Sequence, residues 1–181
     1  MHAVPSRGFT LIEVVVALAI LATVLMSLPN VLVQAERASV AARRSAVASV
    51  AAAEKLEQLR GLAWGFDADG LPVEDTTSDA SRSPVAVDAG VGLRASPADS
   101  LDRDAAPFVD YLDADGRWLT AAPSEAAGAA LVRRWSVGEA SPGPAGTLVL
   151  RVRVLALPDG VGGGRPRELA RLVTVKSRRA R

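Results

Sequence analysis

The sequence contains no cysteine, and its single histidine is His2. Without cysteine the chain has no disulfide, no thiol nucleophile and no thiolate metal site. Histidine is the commonest general base and transition-metal ligand, and it is absent from every position after residue 2. No Gly-x-Ser-x-Gly or other nucleophile motif replaces these groups. The sequence therefore predicts neither an enzyme nor a metal site, and it requires no cofactor.

Aromatic residues and net charge are also scarce. Aromatic residues make up 4% of the 181 residues, and Ala and Val fill much of the 49% that is hydrophobic. Such a core buries little apolar surface per residue. The 21 basic and 20 acidic residues give a net charge of +1, so nothing in the charge points to nucleic acid as a partner. The length suits one compact domain.

The longest apolar run covers residues 9–28 and contains one charged side chain, Glu13. A helix of about 20 residues spans roughly 30 Å, the hydrocarbon thickness of a bilayer, so the run predicts a membrane-spanning helix. An ordinary secretory signal with a cleavage site near residues 33–35 is an alternative, although its apolar region would be shorter. A plain uncleaved anchor is a second alternative, but it has no use for a costly acid such as Glu13.

Residues 7–14, Arg-Gly-Phe-Thr-Leu-Ile-Glu-Val, resemble the prepilin processing signature of the type IV pilin and type II secretion pseudopilin family. The resemblance implies that a membrane peptidase cuts after Gly8 and that the new N-terminal Phe9 is N-methylated. It also implies an assembly role for Glu13, the fifth mature residue, whose carboxylate would pair with the Phe9 amine of a neighbouring subunit. Such a pair penalises a wrong axial register, because an unpaired charge in an apolar bundle is costly.

The same resemblance implies a function and a location. The chain is expected to be a structural minor pilin or pseudopilin of a type IV pilus or type II secretion pseudopilus. Residues 52–60 are similar to minor pilins of the V type or pseudopilins of the I type. Expected partners are other subunits, the prepilin peptidase and methyltransferase, the inner-membrane assembly platform and membrane lipid, with the C-terminal domain in the periplasm. Arg37, Arg43 and Arg44 alone would favour the opposite topology. The alternative function is a membrane-anchored extracytoplasmic binding protein that never enters a filament.

The predicted organisation is α+β and pilin-like. It comprises a removed leader (1–8), a transmembrane and filament-core helix (9–29), an amphipathic helical half (30–64), a variable loop (65–106) and an antiparallel β-sheet (107–181). One helix is expected over residues 9–62, with a kink at Pro29 because proline removes a helical hydrogen bond. One packed face is predicted in its second half by Val33, Val40 and Val47 at seven-residue intervals and by Leu56, Leu59 and Leu62 at three-residue intervals.

Alternating apolar residues and turn signals predict the strands. Residues 108–112 and 117–120 flank an Asp-Gly turn and predict a hairpin. Further strands are expected at residues 131–137, 147–157 and 169–175, and a short one at 85–87. In the strand at 147–157, the inward set is expected to be Leu148, Leu150, Val152, Val154 and Ala156.

Four short motifs favour ordinary turns and termini over binding sites. Residues 67–70 and 113–116 share Asp-Ala-Asp-Gly with calcium loops but lack the remaining ligands, so turn chemistry explains them. The glycines at 162–164 lack the Lys and Ser/Thr of a phosphate loop, which favours a flexible hairpin. The basic tail at 178–181 is read as solvated, with weak DNA contact as the alternative.

Overall fold

The structure, a computed structural model, describes residues 8, 10–66, 72–82, 90–144, 146–158 and 165–177. It contains one long helix, seven strands and a short 3₁₀ turn at Pro123–Glu125. In chain order these are α1 (Leu11–Gly61), β1 (Trp64–Phe66), β2 (Pro72–Glu74), β3 (Val109–Leu112), β4 (Trp118–Thr120), β5 (Leu131–Glu139), β6 (Thr147–Ala156) and β7 (Arg167–Ser177). The chain divides into two compact units, Met1–Ala42 and Arg43–Arg181.

The main sheet has five antiparallel strands in the order β4-β3-β5-β6-β7. Together with the N-terminal helix it gives the predicted α+β arrangement, which is consistent with a pilin-like fold. The predicted hairpin is present as β3 and β4, and the strands predicted at 131–137, 147–157 and 169–175 correspond to β5, β6 and β7. These strands could be predicted from the sequence because turn residues mark their ends and apolar residues alternate with polar ones along them.

The predicted loop at residues 65–106 is more structured than its composition indicated. It begins within a separate antiparallel pair, β1 and β2. Further along, polar and small side chains are buried, among them Ser78, Asp79, Ser81 and Ser100. Local hydrogen bonds offset the loss of water around these polar groups, since Ser78 donates to Asp75 and Ser81 donates to Asp79. The strand predicted at 85–87 lies outside the described residues.

The side chains of β6 divide between the two faces as its alternation predicts. Leu148, Leu150, Val152 and Val154 are buried in the main core, Ala156 is half-buried, and Arg151 is exposed. A register irregularity at Val154/Leu155 in the pairing with β7 marks the end of this regular alternation. Beyond it, Leu155 is buried in the smaller cluster with Val109, Tyr111 and Val132. The sheet is therefore packed on both faces.

The end of α1 packs on the sheet through alanines and leucines. Ala48, Ala51, Ala52, Leu56 and Leu59 are buried in the main core. Alanine keeps the helix backbone close to the sheet, and leucine fills the wider space near the helix end. Of the predicted packed face, Leu56, Leu59 and Leu62 are buried and Val47 packs partly buried against the core, whereas Val33 and Val40 are exposed. The prediction therefore holds for the end of the helix.

A buried ion cluster joins α1 to the centre of the sheet. Arg133 on β5 donates two hydrogen bonds to Asp110 on β3, Nε to Oδ1 at 2.9 Å and Nη2 to Oδ2 at 2.8 Å. Its Nη1 donates to the backbone carbonyl of Ala51 in α1 at 2.8 Å. Lys55 of α1 approaches Asp110 Oδ2 at 3.0 Å, and both side chains are 0% exposed. One carboxylate thus binds two cations from different elements.

Lys55 is held by two further contacts. Its Nζ donates to the backbone carbonyl of Ala80 and lies 4.4 Å from the centroid of the Trp135 ring. Burial lowers the pKa of Lys55 from 10.5 to about 8, although Asp110 acts in the opposite direction. The second anion near the cluster is Glu54, half-exposed, with Oε2 3.8 Å from Arg133 Nη1. The buried part of the cluster therefore carries one more positive charge than negative.

The last strand closes the helix end. Lys176 on β7 donates from Nζ to the backbone carbonyl of Arg60 and, at 2.7 Å, to that of Leu62. The last carbonyls of a helix have no partner within the helix, and a cation there also complements the helix dipole. Burial lowers the pKa of Lys176. This contact ties the C-terminal strand to the first element of the chain.

Arginines on the other sheet face hold the segment that precedes β3. Arg134 Nε donates to Asp104 Oδ1 at 2.9 Å, and Nη1 donates to the Asp102 carbonyl at 2.7 Å. Arg153 donates to the Asp102 side chain and the Leu101 carbonyl. The Tyr111 hydroxyl donates to Asp104 at 2.8 Å, and its pKa is raised, first by burial and then by this bond. The end of the region predicted as a loop is therefore pinned to the sheet.

These contacts predict that the second unit is stable without the apolar run. A chain of residues 31–181 should be soluble and should unfold cooperatively. The hydrophobic core, the buried ion cluster around Asp110 and the contacts of Arg134 and Arg153 all lie after residue 42. Circular dichroism during thermal unfolding measures this. A broad, non-cooperative loss of signal would contradict it.

The Lys55 environment predicts an unusual dependence of stability on pH. Between pH 8 and 10.5 the unfolded chain binds more protons at Lys55 than the folded chain, so the free energy of unfolding rises with pH. For residues 31–181 we expect a gain of about 1–2 kcal/mol between pH 7.5 and 9.5. Urea unfolding at several pH values measures it.

The matched control is Lys55→Met, which keeps a long side chain but cannot titrate. It should lose most of the gain, leaving the part due to Lys176. A parallel rise in both proteins would show that Lys55 is not its source.

Candidate functional site

The described part of the N-terminal motif starts at Gly8, which is exposed. A Cβ atom built on Gly8 would meet nothing within 4 Å. The fold itself therefore does not require glycine at position 8. A requirement for glycine there would come from a molecule that binds this segment. Phe9, the predicted N-methylation site and new N-terminus, lies outside the described residues.

Glu13 is bound within its own chain, in an arrangement the sequence reading missed. Thr10 donates to Glu13 Oε2 from its backbone nitrogen at 3.1 Å and from Oγ1 at 3.2 Å. In return Glu13 N lies 3.4 Å from Thr10 Oγ1. This reciprocal pattern is a capping box, with Thr10 before the first helical residue and Glu13 third in the helix. The spacing Thr-x-x-Glu before an apolar run was the available signal.

The capping box gives Glu13 two properties. Its carboxylate lies at the N-terminal end of α1, where the helix dipole favours a negative charge. Its hydrogen bonds come from one nearby residue, Thr10. Another donor can therefore take the place of Thr10 without changing the rest of the helix. A positive donor that reached Oε2 from another chain could therefore replace Thr10 at this oxygen.

Beyond Glu13, α1 presents a continuous apolar surface. No charged residue occurs between Glu13 and Glu36. Large apolar side chains from Leu11 to Val33 are exposed, among them Ile12, Leu18, Leu25 and Leu32. The helix contains a stretch that is long and apolar enough to cross a membrane. Exposed apolar surface of this length requires lipid or other protein to cover it.

This apolar stretch of α1 contains few polar side chains, and Thr23 is hydrogen-bonded within the helix. Thr23 Oγ1 donates to the carbonyl of Ala19 at 2.8 Å. Pro29 lies inside α1, and the helix continues through it to Gly61. Proline removes one backbone donor at this position. The predicted kink at Pro29 stays a prediction.

The remaining motifs do not form a second chemical site in the described chain. At residues 113–116 the Asp113 carboxylate accepts hydrogen bonds from the backbone nitrogens of Asp115 and Arg117, and Gly116 has φ +85°. That carboxylate shapes the turn between β3 and β4. No group of three or more potential metal ligands occurs among the described residues. Residues 67–70, 162–164 and 178–181 lie outside them.

Comparison with known proteins identifies one feature. Residues 5–28 match the family model described as the prokaryotic N-terminal methylation motif. No curated protein and no solved structure matches the chain. The matched range contains Gly8, Phe9 and Glu13 and the whole apolar run at residues 9–28. The chain thus carries a prepilin motif of the type IV pilin and pseudopilin kind, and the motif implies processing by a prepilin peptidase and assembly with other subunits.

Together the motif and the helix fit a single-pass, membrane-anchored protein. The match covers residues 5–28 and ends before the sheet begins.

Proposed function

We propose that the protein is a minor pilin or pseudopilin, a structural subunit of a type IV pilus or type II secretion pseudopilus. The observation that carries this proposal is the methylation motif at residues 5–28, at the start of a helix with an exposed apolar surface. An anchor alone would need the apolar surface but not the motif. The motif adds a cleavage site, a new N-terminal amine and an acid at a fixed distance from it.

Cleavage after Gly8 is the first step of the proposed function. It leaves Phe9 as the N-terminus, and N-methylation keeps a positive amine there. The open space around Gly8 supports this step, because a residue without a side chain lets the backbone approach an enzyme closely. The processed subunit is then held in the membrane by α1.

Assembly is the second step, and Glu13 is its central residue. In the single subunit Thr10 satisfies the carboxylate, so storage in the membrane leaves no bare acid. In a filament the amine of Phe9 from a neighbouring subunit would replace Thr10 as the partner of Oε2. A charged donor makes a stronger bond than a hydroxyl or amide, especially where water is excluded. Wrong registers would leave the amine unpaired.

The minor type is favoured by the similarity of residues 52–60 to minor pilins of the V type and pseudopilins of the I type. In this arrangement the motif lies at the inner membrane and the second unit lies in the periplasm or in the filament. Its partners are other subunits, the peptidase and methyltransferase, the assembly platform and lipid.

One observation favours a second candidate, a membrane-anchored binding protein. A groove of about 600 Å³ lies between α1 and the β3–β4 turn, lined by Val47, Val50, Arg117 and Trp118 among others. The indole nitrogen of Trp118 is buried without an acceptor among the described residues. The mature N-terminus separates the two functions, since an intact Met1 supports the anchored binding protein.

The proposal predicts that Gly8→Val blocks processing. Valine adds a branched side chain where the peptidase must approach, and nothing in the fold resists the change. Expressed with a prepilin peptidase, the variant should keep its leader in nearly all molecules, as intact mass spectrometry measures. Gly138→Val is the matched control, since a Cβ at Gly138 also meets nothing within 4 Å. Normal maturation of the Gly8 variant would overturn the proposal.

A second prediction separates the assembly role of Glu13 from its capping role. Glu13→Gln keeps the shape and an oxygen acceptor for Thr10 but removes the negative charge, so it cannot form an ion pair with a positive amine. Processing should persist, and incorporation into sheared filaments should fall by about tenfold or more, the factor that 1.4 kcal/mol supplies. Quantitative immunoblotting of filament and membrane fractions measures both.

Thr10→Val is the comparison for this experiment, because it removes the hydroxyl of the capping box and leaves the carboxylate. It should reduce incorporation by less than Glu13→Gln does. Equal losses in the two variants would show that the cap, and not the charge pair, determines assembly.

A further inference from the structure

The strand β7 forms one edge of the main sheet. It pairs with β6 along its whole length, and among the described residues its other side has no strand partner. At eleven residues it is the longest strand. A long open edge presents a row of backbone donors and acceptors that can pair with another strand.

The two halves of β7 differ in how they are protected from such pairing. In the first half, Glu168 accepts hydrogen bonds from Arg153 and from Arg171. Charged side chains therefore cover the surface of this half of the strand. Charged side chains are a common protection of edge strands. In the second half the one charged residue is Lys176, and its ammonium is bound to the carbonyls at the end of α1. This lysine is therefore occupied elsewhere.

Two valines remain on the outward face of the second half. Val173 is 55% exposed and Val175 is 60% exposed. Within the described part of the second unit, the other exposed large apolar side chains are Val50 at 69% and the less exposed Leu119 at 37%. Val173 and Val175 are separated by one residue on one face of a strand, so they form a pair rather than isolated exposures.

We propose that residues 172–176 of β7 bind the same segment of a second copy of this chain, as an antiparallel strand pair centred on Thr174. In that register Val173 lies opposite the partner's Val175, and Val175 lies opposite the partner's Val173. All four exposed valines then meet on one face, and β-branched cross-strand pairs of this kind stabilise sheets. The pairing is isologous, so it closes as a dimer with twofold symmetry.

Charge also favours this register. Arg171 faces the partner's Ser177, so the arginines of the two copies lie about 20 Å apart, six residues at about 3.3 Å each. A register centred on Arg171 would place two arginines directly opposite each other, which is destabilising. The second half of β7, whose lysine is bound to α1, is thus self-complementary, and the first half is not.

The pair is small, because about five residues a side bury less than the 1,200 Å² of a stable interface. It is therefore a transient contact in dilute solution and becomes populated where copies are concentrated, as in one membrane. The contact does not rest on the proposed filament function. Processing after Gly8 is a separate property of the same chain.

Single cysteines test the pairing, since the chain has none of its own. The full chain in detergent micelles is oxidised with copper phenanthroline, and dimers are counted by non-reducing electrophoresis. Thr174→Cys should form a disulfide dimer at least about tenfold faster than either control, because antiparallel partners at the centre lie 4.5–5.5 Å apart, within disulfide range. The controls are Ser177→Cys, about 20 Å from its counterpart in this register, and Val50→Cys on α1.

A second change tests the valines. Adding Val175→Lys to Thr174→Cys should slow the cross-link by about tenfold, and adding Val50→Lys should leave it unchanged. Circular dichroism checks that each variant is folded. Equal rates at positions 174, 177 and 50 would overturn the proposal, as would a Thr174→Cys dimer that Val175→Lys does not affect. Unchanged processing after Gly8 in all variants keeps this outcome distinct from the function proposed above.

Discussion

The carboxylate of Asp110 is the point on which the second unit depends. It lies in the middle of β3 and binds Arg133 through both oxygens while Lys55 reaches it from α1. Through Arg133 it holds the Ala51 carbonyl, and through Lys55 it holds the Ala80 carbonyl. Helix, sheet and the region before β3 therefore share one anion. The core around it is mainly leucine, valine and alanine, whose packing has no direction, so the ion cluster adds a directional contact that fixes how the layers meet.

The sequence predicted those parts of the molecule that are determined by interactions between residues close together in the chain. The apolar run, the Asp-Gly turn at residues 113–116 and the alternation of β6 each depend on neighbours in the chain, and the structure confirms them. The ion cluster depends on residues separated by up to 82 positions. Lys55, Asp110 and Arg133 look like ordinary surface charges in the sequence, because a pattern shows polarity but not the partner that makes burial tolerable.

The candidate site was predicted in part for the same reason. Gly8, Phe9 and Glu13 lie within one short motif, so their order could be read directly, and the family model matches that stretch. The bond between Thr10 and Glu13 is also local, but the acid was interpreted only through a neighbouring subunit. The region at 65–106 was read as a loop because it lacks apolar periodicity. Its buried residues are largely serine, aspartate and alanine, whose burial rests on hydrogen bonds and close packing.

The contact of Lys176 with the end of α1 has a consequence for the timing of folding. It joins residues separated by 114 positions, so the domain cannot be completed until nearly the whole chain has been made. Contacts of such long range form late and slowly, since a large loop must close first. The N-terminal helix is synthesised first, whereas the strand that covers its end is synthesised last. Between these events the buried face of α1 is available to chaperones and to proteases.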